Sequence, residues 1–159
     1  MVVQFSQLTE EEKKLIYQVP ALATILIAGA DDNIDALEKE VAEELTILKA
    51  TTSEIELRGY YEKVSTTFRQ DLEGLISELP GKAKYRNPYI REQLAEVNTI
   101  FDQVPPMFVN DFYRHIKQIG RRVSEASGGV LGYLAVGKEE ERALHNLNII
   151  LNPKSLDKN

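Results

Sequence analysis

Asp31, Asp32, Asp35 and Glu38 fall within eight consecutive positions of the stretch AGADDNIDALE, residues 28–38. Four carboxylates this close repel one another, so a cation must neutralise them or backbone amides must absorb them. Two chemistries compete for the same residues. In the first, a hard divalent cation, calcium or magnesium, takes the oxygens as ligands. In the second, the acids serve a helix start: Asp35 is a good N-cap, and Glu38, three residues on, completes a capping box. Capping accounts for Asp35 and Glu38. It leaves Asp31 and Asp32 to turn formation, where Asp is favoured because it tolerates tight backbone geometry.

The spacing of a calcium-binding EF-hand loop fits only in part. With Asp31 first, Asn33 and Asp35 take the third and fifth positions, but Ala36 and Ala42 stand where glycine and the closing acid belong. With Ile34 at the apolar eighth position, Asp31, Asp35 and Glu38 become fifth, ninth and twelfth. Ile27 and Gly29 then stand first and third and offer no carboxylate. An ion bound here would be weakly held, or would need oxygens from elsewhere in the fold.

The elements around this turn all read as helices. Thr9 and Glu12 form a capping box that opens the first. Pro20 suits the first turn of a second helix ending near Gly29. After the acidic turn, Leu37, Val41, Leu45 and Leu48 mark one face of the next helix. Ser53 and Glu56 form another capping box. It opens a long helix with the stripe Leu57, Tyr61, Val64, Phe68, Leu72, Leu75 and Leu79. Asn87-Pro88 starts a further helix with Ile90, Leu94, Val97, Phe101 and Val104 on one face. Pro105-Pro106 restarts the chain for the stripe Phe108, Phe112, Ile116, Ile119 and Val123. A last helix from about Lys138 carries Leu144, Leu147 and Leu151. No alternating strand pattern of any length occurs. The expectation is an all-α, compact antiparallel helical bundle over residues 1–151, with a polar tail at 152–159.

At this point the residues suggest a family. An apolar helix ending in A-x-A-D-(G/D)-x-I-(D/S)-x-x-E resembles the tellurite-resistance TerB family and its TerB-like relatives. Ala28, Ala30, Asp31, Ile34, Asp35 and Glu38 are in place, and Asp32 stands where the pattern usually has glycine. The resemblance covers roughly residues 10–151. It implies two pseudo-repeated helical halves and a link to membrane-associated stress and metal responses. It also implies a metal site carried over to Asp31, Asp35 and Glu38, with Asp32 as a helper. An internal echo in the sequence pairs Ile34 with Val136 and Glu38 with Glu140. The second turn, however, has Ser127-Gly128-Gly129 in place of the acids, so a second site is not expected.

Other signals add little chemistry. GYLAVGK at 132–138 imitates a phosphate-binding loop, but Glu139 stands where a magnesium-binding hydroxyl belongs. Arg114, Lys117 and Arg121 share a helix face, with Arg122 beside them. A solvated face pairing with acids is the simpler account of this basic patch, a lipid or phosphate site the sharper one. His115 and His145 lack metal-ligand spacing and read as surface or partly buried residues. Net charge is −6 and cysteine is absent, which argues against general nucleic-acid binding and removes thiolate chemistry. The most apolar run falls far short of the ~20 residues of a membrane span, and no secretory leader is recognisable.

The expected function is therefore a cytoplasmic, non-enzymatic binding module in a stress or metal response. It would bind a protein partner, one associated with a membrane, and the acidic turn would hold a divalent cation that gates it. The alternative is a structural interaction scaffold whose acids only cap a helix. A third reading is an enzyme using the same carboxylates around magnesium.

Overall fold

The computed structural model describes residues 2–126 and 138–151, with the backbone alone for 138–140. Six helices follow one another: α1 (Glu10–Ala28), α2 (Ala36–Thr52), α3 (Ile55–Glu78), α4 (Ala83–Ile100), α5 (Pro106–Ala126) and α6 (Lys138–Ile150). Short 3-10 turns occupy Val3–Phe5 and Phe101–Gln103. No strand occurs among the described residues, and the fold is an all-α bundle. No helix of the described residues is long and apolar enough to cross a membrane.

Helix α1 is the centre of the bundle, and each of the other five helices packs against it. Its N-terminal turn is polar, capped by the reciprocal Thr9–Glu12 box at 2.9 and 3.1 Å. From Val19 to Ala28 every residue is buried. A helix apolar on all sides can only be stable when other elements surround it.

The expected break at Pro20 does not occur. α1 runs through the proline as one helix. A proline inside a helix removes the hydrogen bond to the carbonyl four residues earlier, here that of Ile16. The buried hydroxyl of Tyr60, on α3, donates to that same carbonyl at 2.7 Å. The helix thus continues because a distant side chain supplies the missing donor. Tyr60 also lies within an aromatic cluster, stacked on Tyr17 and edge-on to Phe5, Phe108 and Phe112.

Two other helix starts differ from expectation. Ser53 does not cap α3: its hydroxyl donates back to the carbonyl of Lys49 and closes α2, while Glu54 takes the N-cap position. α4 begins at Ala83, so Pro88 lies within it. The reason for the early start of α4 lies in the acidic turn described below.

The stripes of α3, α4 and α5 are buried as expected, with Leu79 partly so, and on α6 Leu147 and Leu151 are buried and Leu144 partly so. α2 is the exception. Leu37 and Leu48 are 46% and 54% exposed, and the inward positions are Glu38, Ala42, Thr46 and Lys49. Of these, Lys49 reaches across to α5, while Glu38 turns back to the N-cap of its own helix. The Ser127-Gly128-Gly129 turn, most of the GYLAVGK stretch and the 152–159 tail lie outside the described residues, as does Val136 of the internal echo.

Candidate functional site

Each carboxylate of the acidic turn accepts from a backbone amide. Asp31 Oδ1 takes the N–H of Asn33 at 3.1 Å and tightens its own turn. Asp35 takes the N–H of Leu37 at 2.9 Å, and Glu38 reaches back to the N–H of Asp35 at 3.0 Å. These two form the expected reciprocal capping box of α2, with Glu38 buried. Asp32 crosses to another element, its Oδ1 accepting from the N–H of Ala83 at 2.6 Å. Ala83 is the first residue of α4, whose own N-cap, Lys82, makes no side-chain cap. Asp32 therefore caps a helix that starts 51 positions later, and this lets α4 begin ahead of Pro88. Asp32 adopts φ 69°, the left-handed conformation that glycine takes most easily.

The four carboxylates point to amides of three different segments. Among the described residues no three acidic or histidine side chains are gathered closely enough to hold a metal ion.

The positive charge that faces this turn comes from Arg86, on the first turn of α4, only 3% exposed. Its Nη2 donates to the Gly29 carbonyl at 2.6 Å, and its Nη1 donates to the carbonyls of Gly81 and Pro80 at 3.0 and 3.4 Å. The guanidinium thus joins the end of α1 to the α3–α4 loop. Burial lowers its pKa, and the charge of Asp32 opposes that shift. Gly29 is required for the contact, because a Cβ there would lie 2.2 Å from Nη2. No local sequence signal marks Arg86 for this role, because the carbonyl it reaches on Gly29 lies 57 positions away.

A second polar assembly lies between α2, α3 and α5. His115 is 4% exposed, contrary to the expectation of a surface or partly buried residue, whereas His145 is exposed. Lys49 donates to His115 Nδ1 at 3.1 Å and to Gln118 Oε1 at 2.9 Å. The other ring nitrogen then carries the proton and donates to Glu54 Oε1 at 2.7 Å. Arg114 holds the second oxygen of Glu54 at 2.7 Å and Asp111 at 2.8 Å. The Tyr61 ring lies alongside the imidazole. Burial first, then the charge of Lys49, push the His115 pKa below its ordinary value. Burial likewise lowers that of Lys49. The Arg114 hydrogen bond leads the effects that hold Glu54 down at about 2.

This assembly backs onto a groove of about 440 Å³ between α5 and α6. Arg114, Lys117 and Arg121, the shared face read from the sequence, line it together with Gln118, Asn110 and Asn148. Arg114 is paired with acids, and Arg122, outside the groove lining, approaches Glu125 at 3.8 Å. Lys117 and Arg121 have no acidic partner among the described residues. Tyr113 and Leu144 give the groove an apolar floor. No family model, curated protein or solved structure matches this chain.

Proposed function

We propose that this chain is a non-catalytic binding module whose working surface is the α5–α6 groove, and that the groove takes an acidic segment of a protein partner. The observation that carries the reading is the row of Lys117 and Arg121, unneutralised by any described acid on a chain of net charge −6. Cations at these positions, three and seven residues beyond Arg114, offer a line of donors about 10 Å long, at 1.5 Å rise per residue. An extended segment carrying several carboxylates suits a line better than a single compact anion does. The apolar floor would accept the aliphatic parts of such a segment. The resemblance of AGADDNIDALE to the TerB-like turn is what suggests a stress-response or metal-response setting. The cation of that resemblance is not part of the proposal, which rests on the groove cations alone.

The test is fluorescence anisotropy with a capped hexaglutamate peptide as probe. Wild-type protein binds it, more weakly as salt rises, because exposed charge pairs are screened. The double substitution Lys117→Glu and Arg121→Glu loses at least about ten-fold in affinity, roughly 1.4 kcal/mol, with the unfolding midpoint unchanged. Equal binding by the variant would remove the reading.

A further inference from the structure

The groove and the buried assembly share two residues. Arg114 and Gln118 both line the groove. Behind its wall they are the two ends of one hydrogen-bonded chain: Arg114 to Glu54, Glu54 to His115, His115 to Lys49, Lys49 to Gln118. The chain crosses from α5 to the start of α3, back to α5, out to α2 and back to α5. We propose that this chain couples occupancy of the groove to protonation of His115, so that an anionic segment binds with uptake of a proton from solvent. The inference rests on the groove reading above and names its regulation.

The physical sequence is short. Neutral His115 is held between two opposite demands. Lys49, on one side, donates to Nδ1 and needs the ring unprotonated there. Glu54, on the other, favours a charged ring, but Arg114 already draws on its negative charge. Arg114 also serves Asp111, so it is shared before any ligand arrives. An acidic segment in the groove competes for the same guanidinium. As Arg114 turns to it, Glu54 is left with His115 as its nearest cationic partner, and the protonated ring gains. Lys49 keeps Gln118 as an acceptor when Nδ1 takes the proton. The charged and titratable groups facing the imidazole are accounted for here: Lys49 from α2, Glu54 and Tyr61 from the start of α3, and Arg114 from α5 itself. By reciprocity, whatever raises the proton affinity of His115 on binding makes binding tighter at lower pH by the same factor.

Hexaglutamate is a suitable probe because its carboxylates titrate near pH 4.3, below the window in which His115 responds. Histidine ring signals followed by NMR between pH 5 and 8, with and without peptide, read the effect directly. His145 serves as the internal reference. The expected result is an upward move of the His115 midpoint on binding, larger than that of His145. Affinity at pH 5.5 should exceed that at pH 8 by about five-fold, the low end of usual couplings. In Glu54→Gln the peptide still binds and the His115 response is lost. Binding with an unmoved His115 would overturn the coupling and leave the groove reading standing. A His115 response in Glu54→Gln equal to wild type would also overturn it, showing only a field acting through space. Absence of peptide binding to the wild-type protein would remove both.

Discussion

Replacing Gly29 by alanine tests the contact on which the braced turn depends. Gly29 has φ −89° and ψ 8°, a conformation open to any residue. On backbone grounds alone, alanine would be neutral or would stabilise the protein by about 0.4–1 kcal/mol through the unfolded chain. The structure demands the opposite. The added Cβ would lie 2.2 Å from Arg86 Nη2, 2.9 Å from its Cζ and 2.8 Å from the carbonyl of Ile25. The guanidinium must leave, giving up its 2.6 Å bond to the Gly29 carbonyl. A hydrogen bond to a charged group contributes about 1.5–3 kcal/mol, and forcing a methyl into a packed site costs about 1–3 kcal/mol. Taking the lower halves of those ranges, the loss should be about 3 kcal/mol. For a chain of this length that lowers the melting temperature by about 6–12 °C. Urea denaturation gives the free energy directly, and a cycle with Arg86→Met isolates the contact. In the Arg86→Met background Gly29→Ala should cost less than half as much. A loss below about 1 kcal/mol in the wild-type background, or full additivity in the cycle, would refute the reasoning.

Asp32→Ala removes the cap of α4 and places a Cβ-bearing residue with no compensating side chain at φ 69°. It should cost about 2 kcal/mol, and Asp32→Gly about 1 kcal/mol less, measured by urea denaturation. Tyr60→Phe leaves the Ile16 carbonyl without its donor and should cost about 1–3 kcal/mol. In Pro20→Ala, where the backbone N–H returns, a thermal-denaturation cycle should show a smaller cost for the same change. The depressed pKa of His115 means that, below pH 6.5, the unfolded chain takes up a proton that the folded chain refuses. Stability present above that pH should therefore fall as pH drops from 6.5 through the folded value, and His115→Gln should flatten this part of the profile. Glu54, held at about 2, adds a separate loss between about pH 4.5 and 2. Calcium or magnesium at millimolar concentration should leave the melting temperature unmoved, since a cation that bound the folded turn would raise it by mass action.

How much of this molecule could be read in advance depended on distance along the chain. The long stripes of α3, α4 and α5 and the boxes at Thr9–Glu12 and Asp35–Glu38 are local patterns. A helix brings residues three and four apart onto one face whatever else the chain does. These features were legible, and with them the all-α class and the face shared by Arg114, Lys117 and Arg121. The acidic turn was legible as a concentration of charge, but its use was not. Asp32 acts on Ala83, 51 positions away, and Arg86 acts on Gly29, 57 positions away.

The same separation explains the corrections. Pro20 was read by its local rule, which a hydroxyl 44 positions from Ile16 overrides. The inward face of α2 was read from its leucines, yet Glu38, Ala42, Thr46 and Lys49 are the buried positions, and Lys49 reaches His115 across 66 positions. The amino-acid sequence by itself determined where helices form and which of them carry long apolar faces, because backbone hydrogen bonding and side-chain periodicity act over a few residues. Only the tertiary structure decided which carbonyls and carboxylates would be satisfied from afar. A buried polar group must find a partner somewhere, and only the packing of helices determines which partner is within reach.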